Sequence, residues 1–111
     1  METLDYYRQI IQDILAEYST HKPAYGDIEM EVIFDRNHDR YQLVCTGWNQ
    51  QKRIYGSLIH IDLKGNKIWI ENDGTEVGIA NLLVERGVDK NNIVLAYQAP
   101  HLRQYTEFAI G

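Results

Sequence analysis

The sequence has few cysteines and prolines and no long apolar run, features that several protein classes require. Among its 111 residues there is one cysteine, Cys45, and there are two prolines. A single cysteine cannot form an internal disulfide, which argues against a disulfide-stabilised scaffold and favours a cytoplasmic location. The longest apolar run, residues 93–97, is far too short to span a bilayer. Glu2 and Asp5 stand where a secretory signal would be basic, so the sequence predicts neither secretion nor membrane association.

A concentrated basic segment is also missing. The chain has 11 lysines and arginines against 16 aspartates and glutamates, and its formal net charge is −5. Affinity for nucleic acids comes mainly from a concentrated cationic face that neutralises phosphates. The one basic pair, Lys52-Arg53, is typical of a solvated loop or strand edge. We therefore expect the isolated chain not to bind DNA directly.

Sequence motifs for catalysis or cofactor binding are absent as well. Neither glycine-rich phosphate-binding motif occurs, and His21, His38 and His101 are spread over separate loops without metal-ligand spacing. His60 and Asp62 are two residues apart on a predicted strand, so their side chains share one face. Such a pair suits a base and its orienting carboxylate, or two metal ligands.

No third ligand and no nucleophile accompanies His60 and Asp62 in the sequence. The alternative interpretation is a polar strand face beside an aromatic residue, such as Trp69. We therefore predict no enzyme activity, no cofactor and no structural metal.

The residues that are present predict one α+β domain spanning residues 1–111. Hydrophobic residues make up 44% of the chain, an ordinary share for a globular domain. A first helix begins near Thr3 and ends before Pro23. Its apolar residues recur at three- and four-residue spacing and form one stripe: Leu4, Tyr7, Ile11, Ile14, Leu15 and Tyr18.

The middle of the chain predicts an antiparallel meander of four to five strands. Residues 28–34 and 41–48 form the first two strands, separated by a polar turn. Residues 55–70 then contain two alternating runs around Lys64-Gly65-Asn66-Lys67, a strong hairpin signal because glycine and asparagine tolerate positive φ. Ile59 and Ile61 are predicted to face the core.

Helical spacing returns after Asp73 and predicts a second helix that ends at Gly87. A short buried strand follows at residues 93–96, and residues 101–108 form a short helix or an extended tail. Both main helices are expected on one face of the sheet, the face of Ile28, Met30, Val32 and Phe34.

The opposite face is not uniformly polar. Trp48, Tyr55 and Trp69 fall on it if the isoleucines point inward, and exposed groups of this kind favour an interface. We expect a homodimer, the commonest closed assembly, or a higher homo-oligomer. In the competing interpretation residues 103–110 cover these rings within one chain.

Two further features of the sequence, a cysteine and a pair of glutamates, have ordinary structural interpretations. Cys45 lies in a strand and is expected to pack as a small apolar residue, since no cation is adjacent to lower its pKa. Glu29 and Glu31 alternate on the first strand, a pattern typical of a solvated face. They also allow a second hypothesis, in which an acidic face mimics a phosphate backbone.

Several segments together resemble the XisI family, the fdxN element excision controlling factors. They are Y-G-S-L-I-H-I-D-L-K-G-N-K-I-W-I (55–70), L-V-E-R-G-V (83–88), N-I-V-L-A-Y (92–97), R-Q-Y-T-E-F-A (103–109), Y-R-Q-I-I (7–11) and K-P-A-Y-G-D-I-E (22–29). The resemblance covers almost the whole chain in order. Asp89 and Asn92 depart from it, both in one turn.

The resemblance implies a cyanobacterial accessory factor in developmentally controlled excision of a DNA element, as in heterocyst development. A companion protein, XisH, is implied as partner, and a separate recombinase cleaves the DNA. No catalytic residue is carried over to this chain. Two alternatives remain open: an antitoxin-like inhibitor of a nuclease-like partner, and an accessory protein that binds DNA directly.

Overall fold

A computed structural model describes residues 2–21 and 26–111. The elements are α1 (Glu2–Tyr18), β1 (Asp27–Asp35), β2 (Arg40–Asn49), β3 (Lys52–Lys64), β4 (Lys67–Asp73), α2 (Ile79–Glu85) and β5 (Ile93–Leu95). Short 3₁₀ helices occupy Lys90–Asn92 and Pro100–Tyr105. No helix of this described part is long and apolar enough to cross a membrane.

The described strands form one sheet in chain order, β1-β2-β3-β4-β5. The first four strands pair antiparallel, which confirms the predicted meander and the α+β class. The fifth strand differs from the prediction, because β5 pairs with β4 in parallel. The chain between them returns through α2, and parallel neighbours require such a crossover.

The core lies between the sheet and the two helices. From α1, Ile11 and Leu15 are fully buried, as the stripe predicted, and Ile79 and Leu83 of α2 are buried beside them. The strands contribute the remaining fully buried large side chains to this layer: Tyr41, Leu43, Ile59, Ile61, Ile68, Ile70 and Ile93. Burying one aliphatic side chain stabilises the fold by about 1.5–3 kcal/mol. Hydrophobic burial therefore holds both helices on the predicted face.

The turn between β3 and β4 has the predicted hairpin geometry. Lys64 pairs with Lys67, and Gly65 and Asn66 both have positive φ, 59° and 63°. Two consecutive positive φ values define the tight turn whose twist matches that of the flanking strands. This turn fixes the register in which Ile61 pairs with Ile70.

One side chain of β3 departs from simple alternation. The register shifts between Leu43 and Val44, so β3 has one more residue than β2 at this point. As a consequence Leu58, predicted to face away from Ile59, packs against the same core. A β-bulge redirects a side chain in this way.

The second helix is shorter than predicted and is attached at both ends. Asp73 ends β4, and its carboxylate accepts the backbone N–H of Ile79 at 2.8 Å. Gly78 precedes the helix with φ 84°, so it serves the turn and not the helix interior. At the other end Val88 N–H donates to the carbonyl of Leu83 and Gly87 N–H to that of Val84. These two bonds form a Schellman motif, which confirms the predicted role of Gly87.

Candidate interaction surface

The face of the sheet opposite the helices, here called the outer face, carries an exposed aromatic cluster at one end. Trp48 is 51% exposed and Tyr55 is 73% exposed. The guanidinium carbon of Arg53 lies 5.4 Å from the centre of the Trp48 ring and 5.9 Å from that of Tyr55. Aromatic residues and arginine are the types enriched in protein interfaces. Trp48, Arg53 and Tyr55 therefore form a candidate docking patch.

The role of Arg53 was missed from the sequence, where Lys52-Arg53 was interpreted as a solvated pair. Trp48 pairs directly with Arg53 across β2 and β3, and Thr46 pairs with Tyr55. Directly opposed residues project from the same face of a sheet. The sequence predicts a turn at residues 49–52, which the pairing of Asn49 with Lys52 confirms, and counting back from that turn along both strands would have been sufficient to find the cluster.

Trp69 lies at the other end of the outer face and is partly covered. The Lys64 ammonium is 4.6 Å from the ring centre, and the Arg103 guanidinium carbon is 5.6 Å from it. Arg103 is held in place because its side chain donates to the carbonyls of Ala96 and Gln98, each at 3.1 Å. The competing interpretation, in which the C-terminal segment covers the rings within one chain, therefore applies to Trp69.

The two tryptophans do not form one continuous patch. Trp69 pairs with Asp62, which pairs with Arg40 at the start of β2, whereas Trp48 lies near the end of β2. Eight residues along a strand correspond to roughly 26 Å. The predicted set of Trp48, Tyr55 and Trp69 thus divides into an exposed pair and a separate covered residue.

The segment that follows the last 3₁₀ helix also covers the β5 edge of the sheet. Ala109 N–H donates to the carbonyl of Ile93 at 2.8 Å, and Ala109 forms a parallel bridge with Val94. Val94 is fully buried although it points to the outer face beside Trp69. This edge is therefore already paired within the chain.

His60 and Asp62 lie together on the outer face, as alternation predicted. His60 Nε2 and Asp62 Oδ1 are 2.9 Å apart, and the two side chains are 31% and 17% exposed. Their cross-strand neighbours are Asn72 for His60 and Trp69 for Asp62. In the part of the chain that the structure describes, no group of three His, Cys, Asp or Glu residues is placed to hold a metal. The arrangement is a hydrogen-bonded polar pair beside an aromatic ring.

A second polar cluster, not found from the sequence, attaches α1 to the sheet. Arg8 donates two hydrogen bonds to the Asp39 carboxylate, at 2.7 and 3.1 Å, and a third to Asp5 at 2.8 Å. Tyr41 O–H donates to Asp39 at 3.0 Å. The cluster sits at the turn between β1 and β2, where Asp39 has positive φ. Only the fold brings Arg8 and Asp39, 31 residues apart, together.

The ionisation of this cluster follows from its contacts. The Arg8 hydrogen bonds, and then that of Tyr41, lower the pKa of Asp39 against an opposing effect of burial. Burial and the Asp39 carboxylate raise the pKa of Tyr41 to about 12. Asp39 is thus held as a carboxylate and Tyr41 as a neutral donor, an arrangement that stabilises a helix–sheet contact.

Cys45 lines an open cleft on the helix side of the sheet. The cleft has a volume of about 580 Å³, and Tyr18, Met30, Leu58 and Val77 are among the residues that line it. Cys45 is partly exposed there, and burial raises the pKa of its thiol. A raised pKa disfavours the nucleophilic thiolate, so Cys45 acts as a small apolar residue.

Comparisons with known proteins agree over nearly the whole chain. Residues 1–110 match the family described as XisI protein. A comparison with curated proteins found no match. A crystal structure of a XisI-like protein from Anabaena variabilis ATCC 29413 is 35% identical, with a TM-score of 0.90, over 97% of this chain and 99% of that chain.

A second solved structure carries a functional description. It is that of fdxN element excision controlling factor XisI from Anabaena variabilis ATCC 29413, 31% identical with a TM-score of 0.84. The match covers 98% of this chain and 99% of that chain. Family, fold and length of the match all agree with the resemblance found in the sequence. The chain belongs to the XisI family.

Proposed function

We propose that this protein is a non-catalytic controlling factor for excision of a DNA element, and that it acts by binding an XisH-type protein, here called the companion protein. The observation that carries the proposal is the full-length similarity to the excision controlling factor XisI. The similarity spans 98% of this chain and is therefore not confined to one part of the fold.

The charge of the chain supports action through protein contacts. A net charge of −5 opposes association with phosphates, whereas an exposed aromatic–arginine cluster suits a protein partner. In this function a separate recombinase performs strand cleavage, and the chain controls when or where it acts.

Co-purification tests the proposal. The chain, carrying an affinity tag, is co-expressed with the companion protein, and we expect the two to elute together at a fixed ratio from size-exclusion chromatography. Separate elution would contradict the proposal. Tight, strongly salt-dependent binding of DNA by the isolated chain would instead support direct DNA binding.

Expression of the companion protein alone tests the antitoxin-like alternative. Toxicity that this chain relieves would support inhibition of a nuclease-like partner. Harmless expression of the companion protein would support the controlling-factor function over that alternative.

Self-association through the exposed rings forms part of the proposal. Trp48 and Tyr55 on one copy contact the same patch on a second copy, since a two-fold interface uses one surface twice. Sedimentation velocity at micromolar concentration should give a dimer or larger assembly. The combined variant Trp48→Ala/Tyr55→Ala should sediment as a monomer.

A matched control separates this effect from a general loss of surface rings. Tyr105 is 79% exposed but lies on the C-terminal 3₁₀ helix, away from the patch. Tyr105→Ala should sediment like the unmodified chain. A monomeric unmodified chain, or a double variant with unchanged mass, would contradict the dimer.

A further inference from the structure

The β1 edge of the sheet is long and open. β1 spans Asp27–Asp35 and pairs with β2 along one side. Within residues 2–21 and 26–111, no element pairs with its other side. Alternate residues of an edge strand present unpaired N–H and C=O groups, which are a template for a further strand. The β1 backbone therefore offers up to nine residues for pairing.

The outer-face side chains of β1 are predominantly acidic. Glu29 and Glu31 are exposed, and none of the ion pairs among the described residues involves either of them. Their contact within the sheet is a single long hydrogen bond, 3.5 Å, from Thr46 to Glu31. Arg53, on β3, lies between Trp48 and Tyr55 and donates to the Gly47 carbonyl at 3.3 Å, and it lines a pocket together with Glu29 without forming an ion pair with it. Among the described residues, neither carboxylate at this edge is therefore neutralised by an ion pair.

The helix-side residues of β1 are apolar and incompletely covered. Met30 and Phe34 pack partly against the core, whereas Val32, between them on the same face, is 40% exposed. Val32 pairs with the fully buried Leu43 on β2, so its exposed side is the one away from β2. A strand added at this edge would cover it.

A second copy of β1 does not fit this edge. In a two-fold antiparallel pair centred on Glu31, that residue lies opposite itself. Centring the pair on Met30 places Glu29 opposite Glu31, and centring it on Val32 places Glu29 opposite Asp35. Like charges directly opposite each other destabilise a strand pair. The acidic residues therefore act against self-pairing of this strand.

We propose that β1 accepts an extended segment of a partner protein as a sixth strand, and that this segment alternates basic with apolar residues. The basic side chains lie on the outer face opposite Glu29 and Glu31, and the apolar ones extend the layer of Met30, Val32 and Phe34. Backbone pairing supplies affinity in this mode of recognition, and alternate side chains supply specificity. The inference names the docking edge for the companion protein and to that extent rests on the proposed function.

A synthetic peptide tests the docking edge directly. The probe is a capped nonapeptide of alternating valine and lysine, titrated into the full chain at low ionic strength. We expect saturable binding and slower amide hydrogen exchange in residues 27–35. The same peptide with its internal amides N-methylated keeps the charge but cannot pair as a strand, so it should not bind. Equal binding of both peptides, no binding, or protection outside β1 would overturn the inference.

Charge reversal tests the specificity. The variant Glu29→Lys/Glu31→Lys should weaken peptide binding by roughly tenfold or more, since repulsion replaces two attractive cross-strand ion pairs. The control Glu85→Lys/Glu107→Lys changes two exposed acids away from β1 by the same net charge. An equal loss of binding in the control would show a general electrostatic effect and would contradict docking at β1.

Co-purification with the companion protein separates this inference from the proposed function. If the unmodified chain and the Glu29→Lys/Glu31→Lys variant both retain the companion, the proposed function stands and docking at β1 fails. If the unmodified chain does not retain it, the proposed function fails, and the peptide titration alone decides whether β1 binds a basic strand. Loss of the companion in the variant alone supports both.

Discussion

The two edges of the sheet are completed in different ways. At the β5 edge, Ala109 pairs with the strand, and all three residues of β5 are buried. At the β1 edge, Ile28 is buried, whereas Val32 and Ile33 are 40% and 48% exposed. The C-terminal segment thus covers one edge, whereas no element within residues 2–21 and 26–111 pairs with the free side of β1. This difference is the basis of the docking proposed at β1.

The outer face shows the same contrast. Arg103 and Lys64 cover Trp69 near β5, while Trp48 and Tyr55 stand exposed toward the other end. Rings that are covered in the monomer contribute mainly to stability, and exposed rings contribute mainly to binding. Four pairs of variants test whether the two regions differ in this way.

The largest difference is expected between isoleucines of the two regions. Ile70 on β4 is fully buried, and Ile70→Ala should lower the free energy of unfolding by about 2–5 kcal/mol, because it leaves a cavity. Ile33 on β1 is 48% exposed, and Ile33→Ala should lower it by less than about 1 kcal/mol. Urea unfolding measures both. Similar losses would mean that β1 is as covered as β4.

A pair of glycines tests how β1 is attached. A Cβ on Gly47 would lie 2.0 Å from the Asp27 carbonyl oxygen, so Gly47→Ala should destabilise the protein by about 1–3 kcal/mol. Hydrogen exchange in β1 should become faster. A Cβ on Gly56 meets nothing within 4 Å, and Gly56→Ala should be neutral or slightly stabilising. Equal effects would contradict a close β1–β2 contact at Gly47.

The Asp39 carboxylate links α1 to the turn after β1, and we expect this contact to make the stability of the protein depend on pH. The contacts of Asp39 hold its folded-state pKa below the ordinary value of 3.8. Its stabilising contribution is therefore complete above about pH 4 and is lost as the pH falls through the folded-state pKa. Asp39→Asn tolerates the same positive φ but lacks the charge.

Urea midpoints from pH 2 to 7 check this expectation. The unmodified chain should be more stable than Asp39→Asn at neutral pH, and the two should converge at the acid end. Asp5→Asn, which removes the more exposed acceptor of Arg8, should cause a smaller change. Parallel curves for Asp39→Asn would show that the charge of Asp39 does not stabilise the α1 contact.

A small effect on stability is also expected at Trp48. Because this ring is 51% exposed, Trp48→Ala should change the free energy of unfolding by less than about 0.5 kcal/mol. Trp69→Ala removes a ring that is covered by Arg103 and should cost about 1–3 kcal/mol. Chemical unfolding of the monomeric fraction compares them. A large loss at Trp48 would show that its ring supports the fold within one chain.

Much of this fold follows from local patterns. Helical spacing located the buried stripe of α1, alternation placed Ile59 and Ile61 inward, and Gly65-Asn66 fixed the turn of the β3–β4 hairpin. Each of these features depends on neighbours a few residues apart. The face of His60 and Asp62 was predictable for the same reason.

Periodicity and turn chemistry act over short distances, so the amino-acid pattern alone was sufficient to predict most strands, the first helix and the residues that face the core, while the resemblance of several segments indicated the family. Tertiary structure alone decided the parallel pairing of β5, the contact of Arg8 with Asp39 and the covering of Trp69 by Arg103. Each of these joins segments that are distant in the chain. Their partners are set by how the whole chain packs, so no local pattern specifies them.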